Sequence, residues 1–407
     1  MDYKMQTKEE TIEVNAQYYF SLNLNLMSMI GLKCNMTENV GRFYHRIPTF
    51  ITNVCALMYQ SMTVYYLVEA ISAKNTSLSI QIISQLVSNI QCFTKGFFLA
   101  FGINKIQFIL QEKQILWKKY PPNNNNHHTI LGIAQQTLTF CKFYVVAIFS
   151  CVMSYDVPLA INIFMQYLKR ESTNYTYDLS RRVILVKYPF EVTEISTYVI
   201  LCLQEALFVF IQCIFWVNSD TLFAQVTTHI GLQFKILKCD IEAAFNRDDA
   251  KNKEILIELV NRHRELLRIC MLIEDVFSPI IFCTVFLSSI NICVNVIGVR
   301  ETISEKAYLD TGIYFTMLLI TLFQIFFFCI FAEKLTEETR SLADAVYNLN
   351  WTIKDYKLRV YINLIIMRAQ KPFYCTAYGF FPIGHQKLTG IISTSYSYYM
   401  MLQTTDK

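Results

Sequence analysis

Seven separate runs of this chain are long and apolar enough to cross a lipid bilayer as helices: residues 47–71, 78–104, 130–167, 197–217, 277–299, 310–331 and 373–402. A helical crossing needs about 20 predominantly apolar residues. Within hydrocarbon every backbone N–H and C=O must be satisfied inside the segment, so the runs predict an all-α polytopic membrane protein. The third run exceeds one crossing and is expected to continue beyond the membrane at its outer end. Residues 18–30 are too few to cross and read as an interfacial or re-entrant helix. Residues 356–367, interrupted by Lys357 and Arg359, read as a cytosolic helix. Composition agrees, with 53% hydrophobic and only 17% charged residues, against about 25% charged in soluble domains. Disorder is excluded on the same grounds. A net charge of +4 over 407 residues is too small for a nucleic-acid partner to be expected.

Orientation follows from the loops. One side of the seven crossings carries 24 Lys and Arg residues and the other carries 9. Cytoplasmic loops carry the excess of positive charge, so the amino terminus is expected inside and the carboxyl terminus outside. No leader is expected, because Lys8, Glu9, Glu10 and Glu13 precede the first apolar run. The orientation is opposite to that of G-protein-coupled receptors, and neither an Asp-Arg-Tyr after the third run nor an Asn-Pro-x-x-Tyr in the seventh is present. Sequons begin at Asn75 and Asn174, both in expected outer loops. Asn174 is the expected glycosylation site.

Enzymatic chemistry has no foothold. The chain lacks HExxH, GxSxG, GxGxxG and a Walker loop, so neither an enzyme nor a cofactor is expected. The 13 cysteines include no pair closer than ten residues and read as small buried hydrophobes. His127 and His128 follow Asn123–Asn126 and read as part of a solvated inner loop. Among the ionisable residues that interrupt the runs are Lys95, Lys142, Asp156 and Glu205. Each must face a partner, water or a cavity. Lys95 and Lys142 lie toward inner ends, where they either snorkel or serve function. Asp156 and Glu205 lie toward outer ends, either at the rim of a ligand cavity or wetted at the interface. The long inner loop carries Leu222, Val226, Ile230, Phe234, Leu237 and Ile241 at helical spacing, then Ile255, Leu259, Leu266, Ile269 and Ile273. Such stripes need packing partners, so helix extensions are expected to form a compact inner bundle.

The last run has a distinctive wheel. Thr389, Gly390, Ser393, Thr394 and Ser397 share one sector, while Leu388, Ile391, Ile392, Tyr399 and Leu402 lie opposite. A hydroxyl-bearing stripe with an apolar back suits the lining of an aqueous conduit. Close helix packing through interhelical hydrogen bonds is the alternative. Gly379, Pro382 and Gly384 precede the segment and set it apart as a unit that can tilt.

The region 351–402 resembles the carboxyl-terminal region of insect odorant receptors. The shared features are Trp351, a basic and apolar run, Gln370-Lys371-Pro372, Thr376-Ala377, Phe381-Pro382 and Ser397-Tyr398. Residues 23–31 and Pro189-Phe190 echo the family more weakly. Related gustatory receptors end in Thr-Tyr, five apolar residues and Gln-Phe. Here four residues separate Tyr398 from Gln403-Thr404, which favours the odorant branch. The resemblance implies seven transmembrane helices in an odorant-gated, non-selective cation channel, assembled as a hetero-tetramer with a shared co-receptor in the plasma membrane of olfactory sensory neurons. It implies a ligand site among the outer halves of the second to sixth spans and a pore lined by the last helix. Small hydrophobic volatiles and membrane lipid are the implied partners. Carried over by position, the constriction falls on the Met400–Met401 pair, of which Met401 is the choice, with Gly390, Ser393, Thr394 and Ser397 below it. The implied ligand residues are Met153, Ser154, Tyr155 and Val157 on the third span, Leu201 and Glu205 on the fourth, and Tyr314, Phe315 and Leu318 on the sixth, ordinary helix packing being the alternative role for each. The corresponding division is a cytoplasmic segment 1–46 with its interfacial helix, six spans over 47–331, a cytosolic helical anchor over 332–371 and the pore helix within 372–407.

Overall fold

The computed structural model describes residues 16–32, 47–122, 124–168, 177–179, 181–245, 252–349 and 356–384, together with 389, 390 and 393. Eight helices are among them: α1 Ala16–Met29, α2 Ile47–Ser72, α3 Thr76–Lys119, α4 Asn124–Leu168, α5 Ile195–Phe245, α6 Asn252–Ser304, α7 Tyr308–Tyr347 and α8 Tyr356–Ala369. A two-stranded antiparallel hairpin comes next, with β1 (Thr376–Ala377) paired to β2 (Phe381–Pro382) in the register Thr376↔Pro382 and Ala377↔Phe381.

Helices α3 to α7 hold 44, 45, 51, 53 and 40 residues. At 1.5 Å per residue each is about 60–80 Å long, roughly twice the 30 Å of a bilayer's hydrocarbon. Each therefore crosses the membrane and continues into a second, membrane-distal bundle. Six helices, α2 to α7, are long and apolar enough to cross. The seventh run begins with the hairpin rather than with helix, and most of the chain beyond Gly384 lies outside the described residues.

The two layers of the bundle are unequal. Helices α3, α5, α6 and α7 pack on one another, while α2 lies against α3 and α4 against α5. The flanking helices keep apolar faces exposed, with Phe50, Ile51, Leu57 and Met58 on α2 and Phe143, Val146, Ile161 and Phe164 on α4. Those faces match a lipid solvent. Helix α5 is the axis of the fold, because every residue from 212 to 234 is buried. The expected stripe of Leu222, Val226, Ile230, Phe234, Leu237 and Ile241 is buried, and so is the polar side of the same helix, including Asn218, Asp220, Gln225, His229 and Gln233.

Two sequence readings are corrected here. His127 and His128 are not in a loop, since α4 starts at Asn124 and carries both in its first turns. The helix spanning 18–30 does more than float at an interface. Phe20, Asn23 and Met27 are buried, and Asn23 Nδ2 donates to Thr221 Oγ1 on α5 at 2.8 Å. Tyr19 and Phe20 of α1 and Trp117 of α3 enclose the His229 ring at centroid distances of 5.4, 5.1 and 5.7 Å.

Candidate functional site: a polar interior across the membrane helices

Ionised groups in a membrane interior persist only where partners replace water. Lys95 on α3 is 1% exposed, and its Nζ lies 2.5 Å from Asp220 Oδ1 on α5. It does not snorkel. The second carboxylate oxygen of Asp220 accepts from Tyr144 Oη on α4 and from Gln324 Nε2 on α7, each at 2.8 Å. Trp216 Nε1 donates to Tyr144 Oη at 3.1 Å, and its ring lies 4.6 Å from Lys95 Nζ, a cation–π contact. Gln91 Nε2 donates to Gln324 Oε1 at 2.8 Å and to Ser288 Oγ on α6 at 3.3 Å. One buried network therefore joins all five long helices. Asp220 stands just beyond the fourth apolar run, and the amides lie inside runs where an uncharged polar residue does not stand out. The signal that could have found the network was the lone Lys95 together with the first acid after the fourth run.

Toward the other end, α3 and α6 are zipped by short polar side chains. Ser84 Oγ lies 3.2 and 3.1 Å from Asn291 Oδ1 and Asn295 Oδ1, and Asn291 Nδ2 donates to Ser88 Oγ at 3.1 Å. Tyr314 on α7 lies flat against Gly298 on α6, where a Cβ would stand 2.6 Å from the ring. Only glycine admits so close an approach. Thr311 Oγ1 donates to Thr302 Oγ1 at 2.9 Å one turn further out.

A strap covers that end of the bundle. Glu205 on α5 is fully buried and acts as its anchor: Oε2 accepts from the backbone N–H of Val183 and Ile184 at 3.2 Å each, and Oε1 from Tyr188 Oη at 2.8 Å. Leu185 N–H donates to Gln85 Oε1 on α3 at 2.9 Å. Lys187 pairs with Glu69 on α2 at 2.5 Å. Ile184 and Val186 complete a small core with Ala56, Tyr59 and Phe208.

At the other end of α6 and α7 the hairpin is held as firmly. Tyr378 (φ 52°) and Gly379 (φ 73°) are the central residues of its turn, closed by Phe380 N–H donating to the Ala377 carbonyl at 3.0 Å, and positive φ at both is the type I′ pattern. The Glu274 carboxylate on α6 accepts from Thr376 N–H at 3.0 and 3.1 Å and also from the Thr376 hydroxyl. Ser278 Oγ accepts from Tyr378 N–H at 2.6 Å, and Thr339 Oγ1 on α7 accepts from Phe373 N–H at 3.2 Å. Cys375, Ala377 and Ile383 are buried beneath. The chain that enters the last helix is thus tied to the two helices that wall the interior.

The residues expected to meet a ligand are scattered among these features. Glu205 is buried on α5 under the strap and Leu201 is buried on the same helix, Tyr314 is buried against Gly298, and Leu318 is half-buried beside the main core. Met153, Ser154 and Val157 lie on an exposed face of α4 and Phe315 on an exposed face of α7. The side chains of Tyr155 and Asp156 lie outside the described residues. Gly390 and Ser393 are helical and exposed. Thr394, Ser397 and Met401 fall outside the described residues, as does Asn174. Asn75 caps α3, its side chain accepting from Leu78 N–H at 3.1 Å. Among the described residues no group of three His, Cys, Asp or Glu could hold a metal ion.

Solved structures carry the same fold. The insect olfactory receptor OR5 of Machilis hrabei superposes with a TM-score of 0.75 and 16% identity, over 95% of this chain and 97% of that one. The same receptor in complex with eugenol gives 0.76 and 15%, over 96% and 100%. Odorant receptor 67c of Drosophila melanogaster is 27% identical over 224 residues, which is 54% of each chain. Odorant receptor 85c of the same fly is 24% identical over 189 residues, 46% of this chain and 48% of that one. The chain spans about half the length of these curated relatives. The sequence pattern described as 7tm Odorant receptor matches residues 75–396, which sets aside the G-protein-coupled and gustatory alternatives. With that match running from the cap of α3 through the strap, the polar interior and the hairpin, the chain belongs to the 7tm odorant receptor family, a receptor family and not an enzyme family.

Proposed function

We propose that this chain is an odorant-binding subunit that, with a shared co-receptor, gates a non-selective cation channel in the plasma membrane of olfactory sensory neurons. The amino terminus and the membrane-distal bundle lie in the cytosol, and the strap and carboxyl terminus lie outside. A small hydrophobic volatile sits among the outer halves of α3 to α7, near Leu201, Tyr314 and Leu318. The last helix lines the pore, with Met401 as its constriction and Gly390, Ser393, Thr394 and Ser397 below it.

The observation that carries this reading is that the same two helices bear both ends of the device. On α6, Ser288 touches the polar interior and Ser278 holds the hairpin, about 15 Å apart at 1.5 Å per residue. On α7, Gln324 and Thr339 do the same over about 22 Å. A ligand that displaces α6 against α7 therefore shifts the root of the last helix. A ligand with equal affinity for both states would shift nothing.

The test is to record currents from cells expressing the chain with and without the co-receptor, across a volatile panel that includes eugenol. A volatile-evoked cation conductance appearing only with the co-receptor is expected. Surface-exposed chain that yields no such conductance for any volatile would overturn the channel reading, and external labelling of an amino-terminal tag on intact cells would overturn the orientation.

A further inference from the structure

The strap does more than close the bundle. Between it and α2 lies a cleft of about 450 Å³, lined by Tyr66, Arg182, Tyr188, Pro189, Phe190 and neighbouring strap residues. That volume is in the range of small-molecule sites. The cleft is separate from the polar interior: Ile184 and Val186 line it and pack against the buried Tyr59 and Phe208, and neither Lys95 nor Asp220 nor their partners line it.

Its chemistry is specific. Tyr66, Tyr188 and Phe190 give it aromatic walls, with Tyr188 and Phe190 themselves 5.5 Å apart. The Arg182 guanidinium lies 4.9 Å from the Tyr188 ring. Its nearest acid, Glu205, is 3.6 Å away, too far for a hydrogen bond. Both Glu205 oxygens are already taken by the strap backbone and Tyr188. Arg182 Nη1 is left buried with no acceptor, and Glu69 Oε2 and Gln85 Nε2, on the two side chains that tie down Lys187 and Leu185, are unbonded as well. Buried unbonded polar atoms in a native structure call for a missing partner.

Charge selects the kind of partner. Arg182 and Lys187 face Glu69, Glu191 and Glu205, so the site and its immediate partners are negative by one. An anion would be repelled there, whereas a neutral acceptor satisfies Arg182 without added charge. We propose that this cleft is a second small-molecule site, which binds neutral aromatic molecules carrying a carbonyl acceptor: the ring packs among Tyr66, Tyr188 and Phe190, and the carbonyl accepts from Arg182. The inference stands apart from the channel reading, since it concerns binding alone.

The test uses the full chain in membrane preparations open to both faces, so that orientation does not matter. Val192→Cys, which lines the cleft, is labelled with a thiol reagent in the presence of methyl benzoate, toluene or benzoate. A ligand of about ten heavy atoms gains about 5 kcal/mol, a Kd of about 0.2 mM, so about 1 mM methyl benzoate is expected to slow labelling about sixfold. Toluene, lacking the acceptor, and benzoate, carrying charge, are expected to protect less. Added to Val192→Cys, Arg182→Gln should reduce methyl benzoate to the level of toluene. Tyr66→Ala, which leaves every hydrogen bond of the strap intact, should weaken protection by all three. Labelling of Tyr308→Cys, an exposed position on α7 that does not line the cleft, should not respond. An unchanged Val192→Cys rate at saturating methyl benzoate overturns the site, and equal protection by toluene and methyl benzoate overturns the role of Arg182. Neither result bears on whether volatiles open a conductance.

Discussion

Replacing Lys95 by methionine keeps most of the side chain's volume and removes its charge, leaving the Asp220 carboxylate buried without a counter-ion. Removing one partner of a buried pair costs about 3–5 kcal/mol. Tyr144 and Gln324 still donate to Asp220 at 2.8 Å, which argues for the lower end, about 3 kcal/mol. The reverse change, Asp220→Asn, strands the ammonium but leaves it the Trp216 ring at 4.6 Å, worth about 2 kcal/mol when desolvated; a loss of about 3 kcal/mol is again expected. The double variant strands no charge. The Asn amide can still accept from Tyr144 or Gln324, so its loss should be only about 2 kcal/mol. The two sites are then coupled by about 4 kcal/mol, far beyond the 0.5 kcal/mol scatter of independent positions. Equilibrium denaturation of the full chain in detergent, run as a double-mutant cycle, measures this directly. Additive losses, or a coupling under about 1 kcal/mol, would refute the reasoning, because they would mean that the pair is bathed in water.

The hairpin anchor and the membrane-distal bundle give further tests. Glu274→Ala removes the acceptor for Thr376 N–H and its hydroxyl; in co-expressing cells at unchanged surface level, the volatile-evoked current should fall or the resting current rise, and Glu274→Gln, which keeps one acceptor, should do so less. Burial, with Arg368 nearby, pushes the His263 imidazole down to about 4. A group held neutral in the fold but free to charge at about pH 6.5 when unfolded gives stability that is full above 6.5 and is lost as pH falls toward 4. That loss is about 3 kcal/mol at most. Glu338, pushed up by burial, acts in the opposite sense, so the comparison to make is acid denaturation of the native chain against His263→Phe, which should flatten the slope between pH 6.5 and 4. Met401→Cys should become thiol-reactive when the co-expressed channel opens, and protection in every state would remove Met401 from the lumen.

The legible part of the sequence is the part that a bilayer constrains. Six of the seven apolar runs reappear within α2 to α7, because hydrocarbon leaves a spanning segment no alternative to helix. The stripes at 222–241 and 255–273 announced the second bundle for a related reason, since an apolar stripe outside lipid must find a partner. The polar partners were harder to read. Asp220 sits past the end of its run, and nothing local distinguishes it from a solvated loop acid. Only the meeting of α3 with α5 gives Lys95 a reason to be there. Glu205 showed the ambiguity from the other side: its charge within a run allowed either a ligand rim or a wetted interface, and the strap it holds by two backbone N–H groups was legible in neither. The hairpin was half legible, its breakers Gly379, Pro382 and Gly384 being plain, while the docking on Glu274 depends on a residue about 100 positions away.

The linkage between interior and hairpin also bounds what one bound volatile can do. From Asn295 to Glu274, α6 runs for about 32 Å at 1.5 Å per residue, and within that stretch Pro279 leaves the Asp275 carbonyl without its helical donor. That weak point lies between Asn291 and both hairpin anchors, Ser278 and Glu274, so a push near Asn291 meets it first and is partly absorbed there as bending. The available energy is small. A volatile of about ten heavy atoms gains about 5 kcal/mol in total, and only the part that differs between open and closed states does work. Driving a channel from 1:99 to 99:1 requires about 5.5 kcal/mol of difference. One site on one chain falls short of that. Under the proposed function, either the closed state is favoured by only a few kcal/mol, so that a measurable resting current exists, or several subunits add their contributions at a shared pore. A pore lined by the last helix of each neighbour is the arrangement in which such contributions sum.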